Sequence, residues 1–155
     1  MRIGVPREIK NHEYRVGLTP ASVQELVGHG HVVLVESGAG DAIGYDDASY
    51  RQAGAQLVAC EQVFSDSDLI VKVKEPQAEE RQRLRPGQTL FTYLHLAPDP
   101  AQTRDLLASG ATCIAYETVT DAAGRLPLLA PMSEVAGRMA IQAGASCLEK
   151  AHGGR

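Results

Sequence analysis

No stretch of the 155 residues approaches the ~20 consecutive apolar positions that a membrane-spanning helix needs. The N-terminus, Met1-Arg-Ile-Gly-Val-Pro-Arg7, has no long apolar segment, so no secretory signal is expected. Cysteine is scarce. Cys60, Cys113 and Cys147 are odd in number and far apart, which argues against a disulfide framework or a zinc site. All three are expected to be small packed thiols in a reducing compartment. A strong excess of one charge is also missing. The net charge of −4 gives no electrostatic reason to expect nucleic acid or an anionic membrane as partner. Internal repeats and low-complexity segments are absent. What is present is ordinary for a soluble globular protein: 44% apolar and 22% charged residues, in a length that suits one domain. These features together point to the cytoplasm.

The chain alternates apolar runs with capped helical segments. Arg2 to Pro6 reads as a first strand, followed by a polar loop from Arg7 to Gly17. Thr19-Pro20 opens a helix, with the hydroxyl as N-cap and proline at the first position; Gly28 or Gly30 stops it. His31 to Glu36 is a strand expected to be buried on both faces. A glycine turn, Gly38 to Gly44, precedes a short helix capped by Asp46 or Asp47 and ending at Gly54. A brief strand at Ala55–Val58 and a helical turn at Glu61–Phe64 come next. Leu69 to Lys74 is a strand, Ala78 to Leu84 a charged surface helix, and Arg85-Pro-Gly87 a turn. Thr89 to Pro98 reads as a buried strand with His95 at its tip. Asp99-Pro100 opens a helix that Gly110 ends, and Ala111–Ala115 is a further strand. Composition shifts near Thr120. After a loop, Ser133 is expected to cap a helix from Glu134 to about Ala151, whose small residues should pack tightly. The alternation predicts an α/β fold with a doubly wound, mostly parallel sheet. It divides into a segment 1–131 and a connecting helix with the chain's end, 132–155.

In such sheets ligands bind beyond the carboxyl ends of the strands. Lys74 and His95 each stand at such an end. A lysine there can bind a carboxylate or polarise a carbonyl, and a histidine suits proton transfer near neutrality. Read alone, His95 is equally a satisfied core group. Lys72 lies two residues before Lys74, which places both on one strand face, and it is expected to snorkel or to pair with an acid. Arg15, in the loop after the first strand, is most simply a solvated charge, although a guanidinium can grip a small acid through two parallel hydrogen bonds. His12, His29, His31 and His152 read as surface or packing residues. Gly38-x-Gly40 follows a strand as in a dinucleotide fingerprint, but Ile43 stands where the third glycine belongs and no helix opens there, so an ordinary turn is expected.

The segments Arg2–Lys10, Glu13–Pro20, Val33–Gly40, Val71–Pro76, Leu90–Ala97 and Pro131–Gly137 together resemble the alanine dehydrogenase and nicotinamide nucleotide transhydrogenase alpha-subunit family. Tyr93-Leu-His95 favours the alanine dehydrogenase branch, and lysine-forming saccharopine dehydrogenases match less well. The resemblance implies oxidative deamination of L-alanine to pyruvate and ammonia, with NAD as hydride acceptor. It implies that Arg15 binds the substrate carboxylate, that Lys74 contacts carboxylate and carbonyl oxygens, and that His95 is the general acid/base. Tyr93 and Met132 resemble pocket walls, and Ser133 resembles a contact to the nucleotide. No metal is implied, and a homo-oligomer is. The family's Rossmann domain, with its glycine fingerprint and a catalytic aspartate, is expected beyond the sequence given. The chain by itself is therefore expected to be inactive, either awaiting a nucleotide-binding partner chain or persisting as a non-catalytic, self-associating product.

Overall fold

The computed structural model describes residues 1–154. Two compact units are present, the first spanning Met1–Ala115 and the second beginning at Tyr116.

The first unit is a six-stranded sheet, every pairing of which is parallel. Its strands are β1 (Arg2–Val5), β2 (Val32–Glu36), β3 (Gln56–Val58), β4 (Leu69–Val71), β5 (Thr89–Thr92) and β6 (Thr112–Ala115), in the order β3-β2-β1-β4-β5-β6. The connections are α1 (Pro20–Gly28), α2 (Asp47–Gln52), α3 (Cys60–Asp66), α4 (Ala78–Arg81) and α5 (Pro100–Ser109). The chain winds outward from β1 to β3, crosses back to β4 and winds outward again. The expected doubly wound α/β fold is therefore present, and its strand order reverses between β1 and β4.

Alternation along β4 explains the two cores. Successive side chains of a strand point to opposite faces. Leu69 and Val71 pack with Val23 of α1 and Tyr50 of α2, whereas Ile70 packs with Val63 and Phe64 of α3 and Leu106 of α5. Helices thus cover both faces, which is why β2 and β4 read as continuous apolar runs.

The caps follow local chemistry. Thr19 Oγ1 accepts from Ser22 N (3.3 Å), Asp46 Oδ1 from Ser49 N (2.8 Å) and Asp99 Oδ1 from Gln102 N (2.9 Å). Gly110 closes α5 in the left-handed conformation. The glycine turn after β2 is an ordinary one. Gly38 N–H donates to Asp47 Oδ1 (2.8 Å), and a 3-10 turn occupies Asp41–Ile43.

Several expectations need correction. The lysine strand ends at Val71, with bends at Val73 and Lys74, so the two-residue rule fails for Lys72 and Lys74. Lys72 is sealed from solvent and Lys74 is half-buried. The histidine strand stops at Thr92, three residues before His95. Helix α4 is shorter than expected and not wholly superficial, because Glu80 is buried.

In the second unit, Asp121 accepts from the backbone of Ala123 and Arg125 and from Arg125 Nε, at 2.8–2.9 Å, closing a tight loop. Helix α6 runs Ala130–Leu148. Ser133 does not cap it. The N-cap is Leu129, and Pro131 sits in the first turn, where its missing N–H costs no hydrogen bond. Ser133 is inside the helix and its hydroxyl donates back to Leu129 O (3.4 Å). No residue of α6 is buried, contrary to the expected tight packing, and Cys147 is exposed rather than packed. Among the described residues no helix is long and apolar enough to cross a membrane.

Candidate active site at the topological switch point

Three loops leave the carboxyl ends of β1, β4 and β5, strands that are neighbours in the sheet. They carry Arg15, Lys74 and His95 respectively. The crevice at a strand-order reversal is where open α/β sheets bind ligands.

The loop after β1 closes down on the end of β4 at Gly17. A Cβ on Gly17 would collide with the carbonyl oxygen of Val71 and lie 2.9 Å from its carbon. Only glycine lets the two backbones approach so closely. This contact brings the Arg15 segment over the tip of β4.

Arg15 is held by its neighbour Glu13. Nε donates to Glu13 Oε1 (2.8 Å) and Nη2 to Oε2 (2.7 Å), while Arg15 N also donates to Oε1 (2.9 Å). The bidentate fork fixes the plane of the guanidinium. Those hydrogen bonds hold the Glu13 carboxyl below its ordinary range and raise the Arg15 guanidinium; the charge of Lys74 also lowers Glu13. The simple reading of Arg15 as a solvated loop charge missed its clamp.

The two lysines of β4 have separate fates. Lys72 Nζ donates to Glu8 Oε2 (3.3 Å) and Glu80 Oε1 (2.6 Å) in an environment closed to water. Glu80 Oε2 accepts from Gln77 N (2.7 Å) at the start of α4. Burial pushes the Glu8 carboxyl up, against the attraction of Lys72 and the hydrogen bond from Val73. The Lys74 ammonium forms no ion pair among the described residues. Nearby, Lys10 pairs with Glu75.

Beyond β5, Tyr93 is buried and its N–H donates to Val73 O (3.2 Å), extending the β4–β5 pairing past the strand ends. The Gln102 side-chain amide donates to Leu94 O from α5. His95 follows with φ 47°, an uncommon left-handed conformation for a non-glycine residue, and it is exposed. Met132 and Ser133 lie in the first turns of α6, in the second unit.

Sequence reasoning missed Glu8, Glu13, Glu80, Thr92 and Gln102. The signal for Glu13 was its spacing of two from Arg15 in a polar loop. No local signal marks Glu8 or Glu80. Among the described residues no group of three or more His, Cys, Asp or Glu residues forms a metal site.

Comparison with known proteins gives a consistent picture. The sequence model of the family described as "Alanine dehydrogenase/PNT, N-terminal domain" matches residues 4–136. The chain is 63% identical over 155 residues to an alanine dehydrogenase of Halomonas elongata, covering 99% of this chain and 42% of that protein. It is 58% identical over 156 residues to an alanine dehydrogenase of Mycobacterium tuberculosis, covering 100% and 42%. A solved L-alanine dehydrogenase superposes with a TM-score of 0.92 at 51% identity, over 100% of this chain and 43% of that one. A transhydrogenase from Sinorhizobium meliloti superposes with a TM-score of 0.72 at 27% identity, over 76% and 35%. The chain thus spans about 42% of the length of the curated relatives it matches.

Proposed function

This chain belongs to the alanine dehydrogenase/PNT N-terminal domain family, and from that premise we propose that it is the substrate-side part of an NAD-dependent L-alanine dehydrogenase. One observation carries the reading: Arg15, Lys74 and His95 stand on three loops at the carboxyl ends of adjacent strands, at the point where the strand order reverses.

In this reading the substrate carboxylate lies against Arg15, whose plane Glu13 fixes. Lys74 contacts the carboxylate and the oxygen on C2. Two cations hold a small acid more selectively than one, because the guanidinium adds direction and the ammonium adds charge. His95 takes or gives the proton at the group borne by C2. Tyr93 forms a wall of the pocket. NAD, when bound, supplies the hydride acceptor. The glycine turn after β2 does not suit a pyrophosphate, since the Gly38 N–H is already used by Asp47. This chain's contribution to the nucleotide is then Ser133, and the main nucleotide contacts come from sequence that the longer relatives carry outside the matched part. The same reading expects a cytoplasmic homo-oligomer. The exposed apolar residues of α6, Val135, Met139, Ile141 and Leu148, support self-association.

The test is a pyruvate titration of the purified 155-residue chain, followed by amide NMR, together with an NADH-oxidation assay containing pyruvate and ammonium. Pyruvate should bind, Arg15→Ala and Lys74→Ala should each weaken it, and the chain alone should not oxidise NADH. Wild-type pyruvate affinity in both variants would overturn the assignment of the site. Steady pyruvate-dependent NADH oxidation would overturn the view that turnover needs further sequence. His95→Ala should abolish turnover wherever it is reconstituted while leaving pyruvate binding in place.

A further inference from the structure

The lysine proposed to meet the substrate sits where regular strand pairing has ended. Backbone N–H and C=O groups there still need partners. Those of Lys74 find them in side chains from the β1 loop and from the end of β5. Its N–H donates to Glu8 Oε2 (3.4 Å), and its carbonyl accepts from Thr92 Oγ1 (2.9 Å). The preceding N–H, of Val73, donates to Glu8 Oε1 (2.7 Å). One carboxylate from the β1 loop therefore clasps two consecutive peptide groups at the exit of β4.

A buried carboxylate so close to Lys74 would be expected to attract its ammonium. Lys72 removes that opportunity. Its Nζ bridges Glu8 Oε2 and Glu80 Oε1 inside the protein. The acids are occupied by the buried lysine, and the half-buried one is left without an ion pair among the described residues.

From this arrangement we propose that Glu8 is a positioning residue for Lys74. Its carboxylate fixes the backbone that aims the Lys74 side chain, and Lys72 pairs with that carboxylate so that the Lys74 ammonium stays available for a ligand carboxylate. The inference rests on the proposed substrate role of Lys74. Glu8 also lies seven residues before Arg15 and its charge bears on the guanidinium. It therefore couples the two cations of the site through one loop.

The experiment uses the 155-residue chain and pyruvate as probe, read by amide NMR well below the unfolding temperature. Glu8→Ala is expected to weaken pyruvate by about tenfold or more, on the scale of hydrogen bonds to a charged group. Glu8→Gln is the second variant, should the alanine variant fail to fold. It keeps an oxygen for Val73 but sets an amide N–H₂ against Lys74 N–H, so the Lys74 amide resonance should move and pyruvate should weaken. Thr92→Val, which frees the Lys74 carbonyl, should weaken pyruvate by roughly threefold. Gln88→Leu removes hydrogen bonds to Phe64 O and Ser67 O before the start of β5, at the opposite end of the sheet. It should lower stability and leave the affinity unchanged, which separates positioning from general destabilisation. If Lys74→Ala weakens pyruvate while Glu8→Gln and Thr92→Val do not, the positioning role is refuted. If neither Arg15→Ala nor Lys74→Ala weakens it, the functional reading falls first.

Discussion

Lys72 and Glu80 lie 2.6 Å apart, nitrogen to oxygen, with both side chains closed to solvent. Removing the cation leaves two carboxylates, Glu8 and Glu80, buried without their counter-charge. Lys72→Met is expected to cost about 3–5 kcal/mol, the usual penalty for breaking a buried pair. Urea denaturation of the two proteins measures it directly, and a loss below about 1 kcal/mol would mean that the cluster rearranges or takes in water.

Gly17 makes a second structural demand. Its α-carbon faces the Val71 carbonyl with no room for a methyl group. Gly17→Ala should destabilise by roughly 1–3 kcal/mol through forced backbone movement. The amide resonances of Lys72 and Val73 should shift as well. Unchanged spectra at those positions would show that the loop does not press on β4.

Tyr50 is buried between α2 and the sheet, and its hydroxyl donates to Leu18 O (2.8 Å). Burial pushes its phenol up to about 12, against an ordinary value of 10. The neutral form is the one the fold prefers. Its contribution is therefore complete below pH 10 and declines as pH rises from 10 through about 12. An ultraviolet titration should show Tyr50 ionising late, and Tyr50→Phe should reduce the late step by one tyrosine. A titration in which the substitution leaves the late step undiminished would assign it elsewhere.

The Glu13 carboxyl is depressed from its ordinary value of 4.5, chiefly by hydrogen bonds from the Arg15 side chain. A depressed carboxyl stabilises the fold above 4.5, and that contribution is lost as pH falls through the lower folded value. Carbon-13 NMR of the Glu13 carboxyl should give a midpoint below 4.5, and Arg15→Ala should return it toward that value. In the intact protein, affinity for a small carboxylate should change as the clamp opens on acidification.

Local features of the fold were legible because their physics is local. A hydroxyl or carboxylate before a helical segment needs only the next three residues to act as a cap, and Thr19, Asp46 and Asp99 do so. Apolar runs showed which strands would be covered on both faces. Ser133 was misjudged because the helix begins earlier, at Ala130, without a side-chain cap and with Pro131 tolerated in the first turn. The partners of Lys72 were out of reach. Glu8 is 64 residues away in the chain, and it meets Lys72 only once the β1 loop has folded over β4. Equally, no pattern of residues announces that β4 ends at Val71, since Val73 continues the apolar alternation. The strand stops because Val73 and Lys74 give their N–H groups to Glu8 instead of to a neighbouring strand.

The central place of β1 has a consequence for how the protein is made. Ile3 pairs with Val33 on one side and with Leu69 on the other. At ribosomal speeds of about 5–20 residues per second, roughly 3 to 13 seconds separate the synthesis of Ile3 from that of Leu69. Through that interval the first strand has at least one open edge, and both until β2 is made, able to pair with another nascent chain. The β4-facing edge is the one most in need of a chaperone, and the need ends when β4 arrives.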